Sequence, residues 1–532
     1  MSASHDVIVI GGGSAGCLIA GRLAQETEAD VLLLEAGGRD LDPLIHIPSG
    51  FSKLLQNGWF LWPYESVPQT QLDGKPRLMH QGKGLGGGGS INAMLYVRGQ
   101  PRDYARWQEA VSDTGQWSYA DLLPHFIAME GNDSFAGPLH GAEGPLKVSQ
   151  PIEINALNRA AMDGFTQAGL PYNADYNGEG QRGVGPCKLT IGDARRCSAA
   201  DAFLNPAQSR PNLTINTHCL VTNIVFDGDR AIGVDYVHGG DTHRALAGEV
   251  VISAGALNSP RLLMLSGVGP EAELARHGIG LRLASPDVGQ HLQEHPAVPI
   301  SARSRHEMGY ARYATGLPML GAGALYLLTG HGPAATNGIE SVAFFNPDDP
   351  AGEPTVQCMH LAVAGNPTDQ AGLTSGLTLE NVVIQPRSRG FVGLRDADPT
   401  SAPVFDPNYL GDPEDMRVMV ASLRYCREVL QTPALRDIME FELSPGPDVN
   451  TDEGLIEHCK RTLTVNWHPV GTCRMGADDE AVVDASLRVR GARNLWVMDA
   501  SIMPNITSGN TNAPTMAIAS KGVDLLKVAL RA

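Results

Sequence analysis

The sequence predicts an α/β protein, a parallel sheet carrying a nucleotide-binding turn joined to a second, sheet-based domain. Three observations carry this. A β-branched run at residues 7–10 turns through Gly11-Gly12-Gly13-Ser14-Ala15-Gly16 into an apolar-periodic helix. A second apolar strand, "DVLLLEAG", follows and ends in Glu35. Glycine and proline then recur 61 and 36 times along 532 residues, so the chain is rich in tight turns and too long for one ordinary core.

The opening turn is G-x-G-x-x-G between strand and helix. Gly11 makes the turn, Gly13 lets backbone approach a pyrophosphate, and Gly16 packs helix on strand, leaving the helix N-terminus aimed at the phosphates. Glu35 stands 19 residues beyond Gly16, where a ribose-binding carboxylate belongs in a Rossmann-like unit. Residues 12–16 also satisfy G-x-S-x-G, the nucleophile elbow of hydrolases. An elbow normally follows several earlier strands of its sheet. Here the turn follows the first strand, and Glu35 has no place in an elbow. Dinucleotide binding is the better reading, with Ser14 a small phosphate-loop residue; the bland alternative is a ligand-free βαβ turn.

Composition excludes several partners. With 58 acidic and 40 basic residues the net charge is −18. No basic block offsets it, which argues against nucleic acid and against an anionic membrane surface. The start "MSASHDVIVIGGG" lacks a basic segment followed by an apolar stretch and reads as cytoplasmic. Eight cysteines are scattered with no C-x-x-C pair, which suits reduced thiols. Residues 313–330 form a long uncharged stretch, yet their proline and glycines argue against a membrane-spanning helix.

Four further blocks follow in order. "HQGKGLGGGGSINAMLYVRG" begins at residue 80, "VVISAGALNSPRLLMLSGVGP" at 250, "DVGQHLQEHP" at 287 and "LWVMDASIMPNITSGNTNAPTMAIASKGVDLL" at 495. With the opening turn they resemble the glucose–methanol–choline (GMC) oxidoreductases over nearly the whole chain. Residues 82–92 look like the family's first signature, and residues 255–260 with 266–269 like its second. The closest-looking members are bacterial choline-dehydrogenase-like alcohol dehydrogenases and aryl-alcohol or hydroxymethylfurfural oxidases.

The resemblance implies FAD, which spacing alone does not. By position, Gly11, Gly13, Ser14 and Gly16 would hold the pyrophosphate and Glu35 the adenosine ribose. Gly86, Gly87 and Asn92 would lie beside the isoalloxazine, Val221 beside the adenine, and Asp499 and Ala500 against the cofactor again. Some members attach FAD covalently through a histidine next to the asparagine of the first signature. That position is Ile91, so FAD should be held non-covalently. The implied division is a flavin domain from residues 1–155, 200–305 and 460–532, and a substrate domain from 156–199 and 306–459. In the latter, "TVQCMHLAVAG" and "LTLENVVIQPRSRGFVGLRD" read as strands of its sheet, with a turn at residues 388–390.

The remaining question is His468, in "TLTVNWHPVGTCRMG" at residues 462–476. In isolation a histidine more often packs than reacts. A metal site lacks partners, since Cys473 stands five residues away without a nearby third ligand. In the GMC pattern, however, a histidine before proline is the base and an "N-T-N" segment supplies its partner. Here the pair reads as His468 and Asn512, 44 residues apart. A histidine near its ordinary pKa of about 6.5 can take a hydroxyl proton, and an amide can hold the developing alkoxide. His291 and His295 read as packing, Trp467 equally as pocket wall or core, and Asn466 as more polar than a flavin neighbour should be.

The function expected is oxidation of a primary alcohol, aromatic or otherwise activated, with oxygen or another acceptor such as a quinone or redox protein. A choline-type dehydrogenase, a FAD-containing hydroxynitrile lyase and a non-catalytic dinucleotide-binding regulator are the competing readings. Choline would require an aromatic cage or a carboxylate. Glu340 is a candidate, although a fold-holding role suits it better.

Overall fold

The computed structural model describes residues 4–112, 115–365 and 372–531. Two seven-stranded sheets organise it. In the first the spatial order is Leu213–Asn216, Val31–Leu34, Ser4–Ile10, Asp241–Ile252, Arg230–His238 and Leu220–Asp227, with Leu495–Val497 also paired to Asp241–Ile252. The pairings that involve Leu213–Asn216, Val31–Leu34, Ser4–Ile10 and Leu495–Val497 are parallel. Strands of this kind are covered on both faces and so read as continuous apolar runs. Val7, Ile8, Val9, Val250, Val251 and Ile252 are accordingly fully buried.

The carboxyl ends of the parallel strands point to one edge, where ligands of open α/β sheets bind. Gly11 leaves the first strand there, Glu35 the second and Ser253 the strand that ends at Ile252. The helix Ser14–Glu26 leads away from that edge and packs on the C-terminal helix Asn512–Ala529. The last helix thus returns the end of the chain to its beginning.

The second sheet is antiparallel, in the order Met439–Ser444, Pro296–Ser304, Gly376–Val383, Val356–Leu361, Ile339–Phe345 and Gly183–Pro186, with Thr464–Val465 also paired to Pro296–Ser304. Alternation separates its two faces. Val356, Cys358, Leu377 and Leu379 join the core under the helices Ala156–Gln167 and Pro413–Leu430. Met359, Leu361 and Val382 face the opposite way, toward Met94, Leu95 and Val97 of the glycine-rich segment.

This pairing departs from the sequence reading in three places. Residues 296–304, expected in the flavin segment 200–305, form a central strand of the substrate sheet. Thr464–Val465, expected in 460–532, joins the same strand. Phe391–Gly393 leaves the sheet to pair with Val404–Asp406 in a separate ribbon. Each is a choice of tertiary partner that local alternation does not encode. The apolar stretch at 313–330 forms the 14-residue helix Gly316–Thr329, with Leu317, Leu327 and Leu328 exposed. Among the described residues no helix is long and apolar enough to cross a membrane.

One buried polar cluster links the first segment to residues 156–199. Arg98 pairs with Glu130, His140 Nδ1 lies 3.2 Å from Glu130 Oε1, and His140 Nε2 lies 2.8 Å from Asp175 Oδ2. Burial alone would lower the histidine pKa. The hydrogen bonds and charges of Asp175 and Glu130 outweigh it and raise His140 from 6.5 to about 9. A raised pKa stabilises the fold fully below pH 6.5, and that contribution is lost as pH rises through about 9. Wild type should therefore exceed His140→Gln in denaturant midpoint most strongly below pH 6.5, with the gap closing above about 9. A gap that does not change with pH would remove His140 from this role.

Candidate active site

A cavity of about 970 Å³ runs from the opening glycine turn to His468. At its nucleotide end, Gly11 has φ +93°, and a Cβ there would come 2.6 Å from the Ser253 carbonyl oxygen. A Cβ on Gly16 would stand 1.9 Å from the Gly11 carbonyl oxygen. Both positions need glycine for packing. A Cβ on Gly13 would meet nothing within 4 Å. Gly13 is the N-cap of Ser14–Glu26 and gives it no side-chain cap. The uncapped first turn therefore presents free N–H groups to the cavity, the arrangement that receives phosphate.

Glu35 lies at the end of its strand, 6% exposed and on the cavity wall. Burial raises its pKa against the pull of neighbouring N–H groups. Its Oε2 accepts from Gly12 N–H and its Oε1 from Gly37 N–H, both at 2.7 Å. Each carboxylate oxygen can accept a further bond, so these contacts aim the group without exhausting it. Val221 lines the cavity beside Leu220 and Cys219.

The second glycine loop crosses the first. Gly86 N–H donates to the Gly12 carbonyl at 2.8 Å, and a Cβ on Gly87 would sit 2.7 Å from the Gly13 α-carbon. Asn92 Oδ1 accepts from Arg196 at 2.6 Å and from Met94 N–H at 3.0 Å. Arg196 is a buried guanidinium whose pKa burial lowers to about 9, and nothing in the sequence singled it out. Asp499 spends both oxygens inside the protein, on Gly255 N–H, on the Ser259 hydroxyl and on Ser501. That leaves its backbone, with Ala500, to face the cavity.

At the far end, His468 follows Trp467, whose φ of +56° puts it in the left-handed region. His468 N–H donates to Glu294 Oε1 at 2.8 Å. The ring makes two contacts that together fix its tautomer. His295 Nε2 lies 3.2 Å from the Ile384 carbonyl oxygen, and a carbonyl only accepts, so His295 carries its proton on Nε2. Its bare Nδ1, 3.0 Å from His468 Nδ1, must then accept from His468. This leaves His468 Nε2 unprotonated, with its lone pair directed away from His295.

The other end of the chain of contacts agrees. Gln357 Nε2 donates to Asn510 Oδ1 at 3.0 Å, which turns the Asn510 amide nitrogen toward His468 Nε2 at 3.3 Å. Burial holds His468 well below the usual histidine range, with His295 adding to the effect, and burial takes His295 down to about 4. Both rings are neutral, so His468 Nε2 is a competent base.

The partner expected from spacing, Asn512, is elsewhere. It starts the C-terminal helix, and its Nδ2 donates to Ser14 Oγ at 2.8 Å. The amide beside His468 belongs to Asn510, because the turn before that helix aims residues 510 and 512 at different neighbours. His295, read as packing, touches the candidate base directly. Glu340 is withdrawn from the cavity: it accepts from Asn155 N–H, from the Tyr310 hydroxyl and from Thr336 Oγ1.

Two family models of GMC oxidoreductases match the chain, one over residues 5–297 and one over 386–519. The chain is a GMC oxidoreductase. It is 38% identical over 530 residues to the alcohol dehydrogenase [acceptor] of Pseudomonas putida, spanning 98% of this chain and 95% of that one. It is 37% identical over 536 residues to the mitochondrial choline dehydrogenase of Homo sapiens, over 98% and 90% respectively. Among solved structures it resembles pyridoxine 4-oxidase from Mesorbium loti, with TM-score 0.89, 32% identity and 98% of each chain covered.

As a GMC oxidoreductase the protein binds FAD and carries out FAD-dependent oxidation of a CH–OH group. The residues present fit that cofactor. The uncapped helix start and Glu35 suit its pyrophosphate and ribose, and the buried Asn466 Nδ2, a cavity donor without a hydrogen-bond partner among the described residues, is available to a ligand. Asn466 is thus polar because it faces the cavity.

The tautomer assignment has a test. His295→Asn keeps an acceptor near the Nδ1 position, whereas His295→Phe offers none. Anaerobic flavin reduction by an alcohol should be at least about tenfold slower in His295→Phe than in His295→Asn. Equal rates in two FAD-loaded variants would reduce His295 to packing.

Proposed function

We propose that this GMC oxidoreductase oxidises a primary alcohol, aromatic or otherwise activated, to its aldehyde, with His468 as base and Asn510 holding the substrate oxygen. The observation that carries this reading is the unprotonated Nε2 of His468 beside the Asn510 amide at 3.3 Å, in the cavity that begins at the nucleotide turn. Trp467, Tyr310, Tyr313, Met319, Met359 and Leu361 line the same cavity and supply apolar and aromatic walls for the organic group.

The alcohol enters with its hydroxyl between the two side chains. Asn510 donates to the oxygen while His468 Nε2 takes the proton. The Nδ1–H bond to His295 stays in place and keeps the ring from turning as charge develops on it. Bound FAD supplies the two-electron acceptor for the hydride leaving the carbinol carbon. Ile91 lines the cavity with a hydrocarbon side chain, which has no atom able to form a covalent link. FAD is therefore held non-covalently, and acid precipitation should release all of it to the supernatant.

Oxygen as electron acceptor is supported by the likeness to pyridoxine 4-oxidase; reduced enzyme should then reoxidise within seconds of mixing with air. Reoxidation over many minutes would favour another acceptor.

The decisive experiment is anaerobic bleaching of the flavin by an alcohol. It separates this reading from a hydroxynitrile lyase and from a non-catalytic binder, in neither of which an alcohol reduces the flavin. His468→Ala should slow reduction about 10²–10⁴-fold and Asn510→Ala about 10²–10³-fold, both with FAD retained. Asn512→Ala should chiefly weaken FAD retention, since it loses its bond to Ser14. Wild-type reduction rates in His468→Ala would sink the assignment.

The pH dependence follows from the direction of the His468 shift. A pKa lowered by burial means the neutral base persists as pH falls below 6.5. The rate of flavin reduction should accordingly hold through pH 6.5 and decline only in more acid solution. An acid limb at or above that value would show that His468 is not the group titrating.

A further inference from the structure

The wall leading away from His468 carries a second polar feature that proton abstraction does not use. Thr464, Asn466 and His468 follow one another on a segment that begins as the short strand Thr464–Val465, with Leu463 and Val465 packed into the core beneath the substrate sheet. Residues 463–469 all line the cavity, and Thr464, Asn466 and His468 bring polar side chains to that wall. Glu380 sits beside the start of this row. It lies on the central strand Gly376–Val383, opposite Met359 and Pro299, and shares a face with Val382, which packs toward the glycine-rich segment.

Glu380 is a carboxylate short of partners. It accepts one hydrogen bond, from Thr464 Oγ1 at 3.0 Å. Among the described residues it has no ion pair within 4.0 Å. Burial raises its pKa with only that hydroxyl opposing. The other carboxylates on the cavity wall have different settings. Glu35 and Asp499 serve the nucleotide end, and Glu65 is exposed on the hairpin Leu61–Glu65. Asn466 Nδ2, the next polar atom along the row, is buried without a partner among the described residues. The half-buried Glu380 carboxylate, with one protein partner, and the buried Asn466 Nδ2, with none among the described residues, offer an acceptor and a donor to a bound polar group, and leaving the buried donor open carries a desolvation penalty.

We infer that Glu380 and Asn466 form the subsite for the end of the substrate remote from its carbinol, and that this end carries a hydrogen-bond donor, either hydroxyl or ammonium. Four Cα-to-Cα steps lead from Thr464 to His468, which sets a span of at most about 13 Å. A single substituted aromatic ring, reacting at one end and anchored at the other, fits within that length. This subsite rests on the alcohol-oxidising reading only for which end reacts; the binding it describes is measurable without turnover.

The test uses the FAD-loaded enzyme and three para-substituted benzamides bearing methyl, hydroxyl or aminomethyl. Their amide stands in for the carbinol and cannot be oxidised, and binding is followed by perturbation of the oxidised flavin spectrum. Wild type should bind the hydroxyl or aminomethyl compound more tightly than the methyl one. Glu380→Gln should weaken the donor-ended compound about 10- to 100-fold more than the methyl-ended one. Loss confined to the aminomethyl compound identifies an ammonium; loss for both identifies a general donor site. The Asn466→Leu variant should weaken both donor-ended compounds less than Glu380→Gln does, because it leaves the carboxylate. Equal effects on all three benzamides, or no wild-type preference for a donor, would overturn the proposal. Should the benzamides discriminate while no benzyl alcohol reduces the flavin, the subsite stands and the oxidation reading falls.

Discussion

The catalytic edge depends on how closely two glycine-rich loops approach each other. The bond from Gly86 N–H to the Gly12 carbonyl, and the place where a Gly87 Cβ would press on the Gly13 α-carbon, leave no room for side chains. Only backbone this bare lets the first strand's turn and the signature near residue 90 share one floor. Asn512 then fastens the C-terminal helix to the same floor through Ser14. Segments nearly five hundred residues apart meet there, and His468 is presented to a surface that they make jointly.

Much of this architecture was legible because its causes are local. The β-branched run, the glycine spacing and the carboxylate at Glu35 are fixed by the geometry of one strand, one turn and one helix start. The strands at Val356–Leu361 and Gly376–Val383 announced themselves by alternation. Sheet membership was not legible in the same way. Residues 296–304 have the same β-rich look whether they extend the nucleotide sheet or enter the other one, and only their pairing with Gly376–Val383 decides it.

At the site, the place of His468 in the cavity was readable and its surroundings were less so. Family spacing directed attention to Asn512, yet two asparagines two positions apart on a turn differ mainly in where the turn sends them. Asn510 reaches His468 and Asn512 reaches Ser14. His295 carried no local mark, because its meaning comes from a carbonyl at Ile384 and a ring 173 residues further on. Asn466 was an anomaly in the sequence that the cavity explains. Glu380 gave no signal, since an acid inside an alternating strand looks solvent-facing until the other face of the sheet proves to be the ligand chamber.

Gln357 adds a consequence of a different kind. It sits on the strand Val356–Leu361, the same strand that offers Met359 and Leu361 to the cavity, and it is Gln357 that turns the Asn510 amide. One piece of sheet therefore both shapes the chamber and sets the angle of the amide beside His468. Selectivity and turnover are mechanically geared on this scaffold. A lineage that reshapes the wall by moving that strand would disturb the amide with it, whereas exchanges of side chain at 359 or 361 leave the gear engaged. Divergence in substrate range should accumulate at such side chains while the strand's register stays fixed.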